Sequence, residues 1–131
     1  MNCSSPSVEP VSYESHSRIR SCSIPGVEFE ILRISFARRL ELTRRVREMA
    51  QRIEFLDAGS EMKDKVESSI LGCEIDRMYL EWGLVSVDGL MIDGDRATPQ
   101  LLIERGPERL TREIVDRIRT ECHLSEDERK N

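Results

Sequence analysis

A chain of 131 residues has room for one domain and a tail, with a core that leaves little stability to spare. Apolar residues make up 38% of it, aromatics 5% and charged residues 34%, a balance suited to a small helical domain with a heavily solvated surface. The net charge of −5 argues against a general nucleic-acid binder, and no apolar run approaches the length of a membrane span.

Residues 1–26 are rich in Ser and Pro and poor in large apolar side chains, which predicts an arm without fixed structure. The opening Met1-Asn2-Cys3-Ser4-Ser5-Pro6 has neither a basic stretch nor an apolar one of the kind that directs secretion. Cys3, Cys22, Cys73 and Cys122 show no C-x-x-C spacing. Together these features predict a cytoplasmic protein with reduced thiols and no zinc. Pro25-Gly26 marks the start of a single domain over 27–124.

Val27 to Ile34 alternates apolar and charged residues and predicts a short strand. Ser35 can cap the helix that follows. Leu42, Val46, Met49, Ile53 and Leu56 step along it by four and three, and so share one face. Phe36 and Leu40 lie off that stripe and are expected to pack on the strand. Ala58-Gly59 ends the helix, and Ser60 is the expected cap of the next. That second helix runs from about Glu61 to Trp82 and carries two apolar faces. One holds Met62, Val66, Ile70, Cys73 and Leu80. The other holds Leu71, Ile75, Met78, Tyr79 and Trp82.

Asp88-Gly89 separates Leu84-Val85-Ser86-Val87 from Leu90-Met91-Ile92, which predicts a hairpin able to pair with the 27–34 strand. Thr98-Pro99 opens a short helix that stops near Gly106-Pro107. A last helix with Leu110, Ile114, Ile118 and Cys122 at steps of four is expected to end near His123, leaving 125–131 as a charged tail. The predicted fold is mainly α with a small β element, an α+β arrangement. It has two long antiparallel helices, a strand and hairpin, and two C-terminal helices.

Little in the chain points to catalysis. Phosphate-loop, dinucleotide and zinc-protease motifs do not occur. Cys122-His123 are neighbours on a helix and face different directions, so they do not make a nucleophile–base pair. A calcium loop starting at Asp93 would place Glu104 at its twelfth position, but Ala97 and Thr98 stand where a ligand and a glycine are required. The expectation is a non-enzymatic protein without metal or cofactor.

Charge is unevenly spread. Residues 27–52 hold seven Arg against four Glu, whereas 53–131 hold eleven Lys/Arg against nineteen Asp/Glu. Glu41 with Arg45, Arg44 with Glu48 and Glu48 with Arg52 have the spacing of a salt-bridged, solvated helix face. Arg38, Arg39, Arg44, Arg45 and Arg47 are the candidates for steering an acidic protein partner. No aromatic residue interleaves with them to stack on bases. Ile75, Met78, Tyr79, Trp82 and Val85 are the candidate partner-binding residues, with a place in the core of a protein poor in aromatics as the equal alternative. They include the only Trp and fall in the stretch richest in interface-favoured types.

The run Trp82-Gly83-Leu84-Val85-Ser86-Val87-Asp88-Gly89-Leu90 is followed by Ile92-Asp93-Gly94, by Thr98-Pro99 with Leu101-Leu102, and by Gly106-Pro107-Glu108-Arg109-Leu110. This layout, with Ser35-Phe36-Ala37-Arg38-Arg39 after the first strand, resembles the phage (prophage) tail assembly chaperones. That resemblance implies a cytoplasmic protein that binds the long helical tape measure protein, keeps it soluble, and is displaced as tail tube subunits polymerise. A structural tail or head–tail component that self-associates as a homo-oligomer is the first alternative. A nucleic-acid-binding regulator is the second.

Overall fold

The structure, a computed structural model, describes residues 9–59 and 61–130, with side chains as far as Cys122. It is α+β. The elements in chain order are β1 (His16–Arg20), β2 (Glu28–Leu32), α1 (Phe36–Asp57), α2 (Met62–Gly83), β3 (Leu84–Asp88), β4 (Met91–Ile92), β5 (Asp95–Arg96), α3 (Pro99–Arg105) and α4 (Glu108–Lys130). β1, β2 and β3 form an antiparallel sheet in that order.

β1 corrects the expectation of an unstructured arm over 1–26. The strand carries only one large apolar residue, Ile19, which pairs with Phe29 of β2. Its other anchor is charge. Arg18 reaches Glu28, Glu30 and Asp88, each at 2.9 Å, so one guanidinium ties together all three strands on the outer face. His16 Nδ1 lies 2.9 Å from Glu30 beside it. Residues 1–8 of the expected arm lie outside the described residues.

Glu113 of α4 holds the turn that follows β1. Its carboxylate accepts hydrogen bonds from Ser21 Oγ at 2.7 Å, the Cys22 amide at 2.7 Å and Ser23 Oγ at 2.6 Å. Burial pushes this carboxyl up, but the bonds from Ser23, Cys22 and Ser21 outweigh that effect and hold it below its ordinary value. A segment without a core of its own is thus fastened at both ends by charge.

β2 alternates as its sequence predicts: Val27, Phe29 and Ile31 are buried, and Glu28 and Glu30 point outward. Between β2 and β3 the chain leaves the sheet as a helical hairpin and returns beside its starting point, with Ile31 opposite Leu84. The roots of α1 and α2 therefore lie at the sheet. Each helix has 22 residues, and the tip of the hairpin stands about 33 Å away along the helix axis. Ser35 caps α1 by accepting from the Arg38 amide, as expected. Glu61 precedes α2 without a side-chain cap, and Ser60 lies outside the described residues.

The α1 stripe is turned inward: Leu42 is buried, and Val46, Met49 and Ile53 pack against the core. Phe36 and Leu40 do not pack on the strand as anticipated. Both are exposed, because helical rotation puts them opposite the stripe that meets α2.

The predicted hairpin at Asp88-Gly89 does not form. β3 does pair with the strand expected over 27–34, which is β2, and β4 pairs with β5 around Asp93-Gly94. Both of these turn residues have positive φ, 52° for Asp93 and 86° for Gly94, as a tight hairpin turn of the right twist demands. β3 itself is irregular. The register shifts between Glu30 and Ile31, so Val85 is left opposite no residue of β2. This bulge lets Leu84 and Val87 both turn inward.

Thr98 caps α3 through the Leu101 amide, with Pro99 in the first turn. α4 supplies the most deeply buried stripe of the protein: Leu110, Ile114 and Ile118 are fully buried, with Cys122 next on the same face. Its backbone continues past His123 to Lys130 through a stretch rich in good helix formers, where a tail was expected. α4 joins α2 through Asp76, whose carboxylate accepts from Arg112 at 3.1 Å and Arg119 at 2.7 Å.

Candidate partner-binding surface

The five residues proposed from sequence to bind a partner do not make one groove. Ile75 and Tyr79 belong to the core, Met78 and Trp82 are half-buried against it, and only Val85 is exposed, on the bulge of β3. The face they share on α2 is the one covered by the rest of the domain. The other apolar face behaves in the opposite way along most of its length. Met62 is 78% exposed, Val66 49% and Ile70 47%, whereas Leu80 near the root is buried.

The arginines divide. Arg38 sits over the Trp82 ring, its guanidinium carbon 6.0 Å from the centroid. Arg39 donates to the Cys122 carbonyl at 3.2 Å and so links α1 to α4. Arg45 pairs with Glu41 at 3.0 Å. The pairs anticipated between Arg44 and Glu48 and between Glu48 and Arg52 are not among the ion pairs of the described residues. Arg44 and Arg47 point to solvent.

Some members of the two predicted sets do meet. Beside α1 near its root lies a cleft of about 260 Å³ with Ile34, Leu42, Val46 and Tyr79 as its apolar wall and Arg39 and Arg47 as its cationic edge. Tyr79 comes from the predicted apolar set, and both arginines come from the predicted steering set. The cleft forms because Leu42 and Val46 belong to the inward stripe of α1, while Arg39 and Arg47 flank that stripe on the turns before and after.

Burial pushes the Tyr79 hydroxyl up, countered in part by Arg119, whose guanidinium carbon lies 4.8 Å from the ring centroid. Burial likewise pushes up the Cys122 thiol at the same cleft, with Arg39 pulling the other way. Both groups therefore keep their protons near neutral pH, and Cys122 is a packing residue rather than a thiolate. The side chain of His123 lies outside the described residues.

Asp93, the first position of the considered calcium loop, instead forms the β4–β5 turn and pairs with Arg105 at 3.2 Å. Among the described residues no three acidic, Cys or His side chains converge as metal ligands would, and no helix is long and apolar enough to cross a membrane. Sequence reasoning missed Glu113, which lies about ninety residues along the chain from its partners, so that no local pattern links them. No family model, no curated protein and no solved structure matches this chain.

Proposed function

We propose that this chain is a non-enzymatic protein-binding domain acting as an assembly chaperone of the phage tail kind, which holds an amphipathic helical segment of a longer partner of the tape measure type. The observation that carries this reading is the cleft of Ile34, Leu42, Val46 and Tyr79 edged by Arg39 and Arg47. A partner helix with an apolar ridge and acidic flanks suits it: the ridge enters the apolar wall and the carboxylates meet the arginines. The basic charge of α1 steers such a partner, and the acidic remainder of the chain keeps the complex soluble. The resemblance of the 82–118 segment to tail assembly chaperones supports the same role.

The test is affinity capture of the tagged chain from cells producing phage particles, followed by mass spectrometry. Val46→Asp and Arg47→Glu are run in parallel, with circular dichroism to verify their folding. A long helical protein held by the unaltered chain and lost from both folded variants supports the reading. A partner that both variants retain, or the absence of any such protein, overturns it. Self-association as a structural tail component draws on a different observation, the bare face of α2.

A further inference from the structure

Met62, Val66 and Ile70 stand exposed in a line along α2, with Cys73 next, and none of them faces α1. They lie on the opposite side of the helix from Leu71, Ile75 and Tyr79, which are buried. A shallow open groove runs along Val66, Ile70 and Cys73, flanked by Glu74 and Arg77. Near the root, the region around Cys73 and Asp76 is met by Thr111, Arg112 and Val115 of α4. α4 begins at Glu108, and the apolar line continues beyond it uncovered.

We propose that the occupant of this line is α2 of a second copy of the chain, packed antiparallel about a two-fold axis near the level of residue 68. The placement of charge argues for it. An antiparallel two-fold contact brings each flank of a helix against the same flank of its copy, with heights mirrored about the axis. Lys63 and Glu74 lie on the same flank, about 60° and about 80° round the helix from Val66 at 100° per residue. The axis that sets Lys63 beside the copy's Glu74 lies midway between them. The axis that sets Val66 against the copy's Ile70 lies at nearly the same height.

One axis thus satisfies the apolar requirement and sets Lys63 beside the copy's Glu74, each contact made twice by symmetry. Glu67 lies on the same flank near the axis, where Lys63 of its own helix, four residues away, offsets its approach to the copy's Glu67. A parallel pairing would bring opposite flanks together and lose the Lys63–Glu74 match. In the dimer the four helices lie in the order α1, α2, α2, α1. The cleft on the far side of α2 stays open, so the inference does not depend on the proposed function.

Sedimentation equilibrium of the full chain over a wide concentration range tests this, with helix content followed by circular dichroism. The unaltered chain is expected to dimerise. Ile70→Glu should remove the dimer without lowering helix content. Lys63→Glu and Glu74→Lys should each weaken dimerisation on the order of tenfold, and the double variant should restore it. Val46→Asp and Arg47→Glu, on the cleft, should leave it unchanged. A chain that stays monomeric throughout overturns the proposal and leaves the line to a partner of different sequence. A dimer indifferent to Ile70→Glu, or a double variant weaker than either single one, also overturns it.

Discussion

The root and the tip of the α1–α2 hairpin share two helices and the same apolar periodicity, yet the domain treats them differently. At the root, α2 has one face in the core with Ile75 and Tyr79, and Leu80 on its other face is buried too. Toward the tip, the seam with α1 is still closed, with Leu71 and Ser68 buried, but Met62, Val66 and Ile70 on the far side face solvent. Nothing in the residue types distinguishes Ile70 from Leu80. What separates them is that α3 and α4 pack on α2 near its root and not toward its tip. Whether an apolar face becomes core or surface is decided by segments some twenty to forty residues further along the chain.

The largest expected effect breaks the root. Ile114 is fully buried on α4, and Ile114→Ala should cost about 2–5 kcal/mol through lost burial and the cavity left behind. Ile70→Ala at the tip, measured dilute enough to keep the chain monomeric, should change stability by no more than about 0.5 kcal/mol. Urea unfolding followed by helix signal checks both. Equal losses would mean that the tip has a cover within its own chain.

Glu113→Ala comes next. It strands two hydroxyls and the Cys22 amide at the β1 turn and should cost about 1–3 kcal/mol. Hydrogen exchange should quicken in β1 before it does in α4. The carboxyl also sets a pH dependence. Its folded pKa lies below its ordinary value of 4.5, so its stabilisation is fully present above about pH 4.5 and is lost as pH falls through the lowered folded value. Thermal melts of Glu113→Gln should show a shallower loss of stability between neutral and acid pH than those of the unaltered chain.

The root and the tip were unequally legible in the sequence. The strand expected over 27–34 forms over 28–32, and the caps Ser35 and Thr98 and the stripes of α1 and α4 follow from local chemistry and appear where local patterns put them. β1 was hidden because its hold on the sheet is Arg18 rather than an apolar alternation, and its partners Glu28, Glu30 and Asp88 are distant in sequence. Of two Asp-Gly dipeptides, only Asp93-Gly94 turns a hairpin, and the dipeptide alone does not tell them apart. The sequence left open whether the apolar candidates are core or surface, because two faces of α2 are equally apolar and periodicity does not tell which one is covered. The arginines were legible as a cluster, but not that Arg38 covers Trp82, that Arg39 bonds the Cys122 carbonyl, or that Arg39 and Arg47 together edge a cleft.

Two glycines of α2 sharpen the comparison with effects of opposite sign. A Cβ on Gly83, at the root, would lie 2.9 Å from Ile118 Cδ1, so Gly83→Ala should cost about 1–3 kcal/mol by overpacking. A Cβ on Gly72, further toward the tip, meets nothing within 4 Å. Gly72→Ala should therefore stabilise by about 0.5–1 kcal/mol through the lower chain entropy of the unfolded state. Paired urea titrations give both signs in one experiment.

The smallest effect is the most local. Trp82 is the only tryptophan, it sits at the root, and its indole Nε1 is buried without a hydrogen-bond partner among the described residues. Arg38 covers its ring at 6.0 Å, near the outer limit for attraction between a cation and the ring face. Arg38→Ala should then cost only about 0.5–1 kcal/mol while changing the tryptophan emission of the folded protein. Ile70→Ala, made at the tip of the same helix, should leave that emission unaltered. An emission spectrum that responds equally to both substitutions would mean that root and tip move as one unit, and the contrast between the rooted and the bare half of α2 would be one of burial alone and not of dynamics.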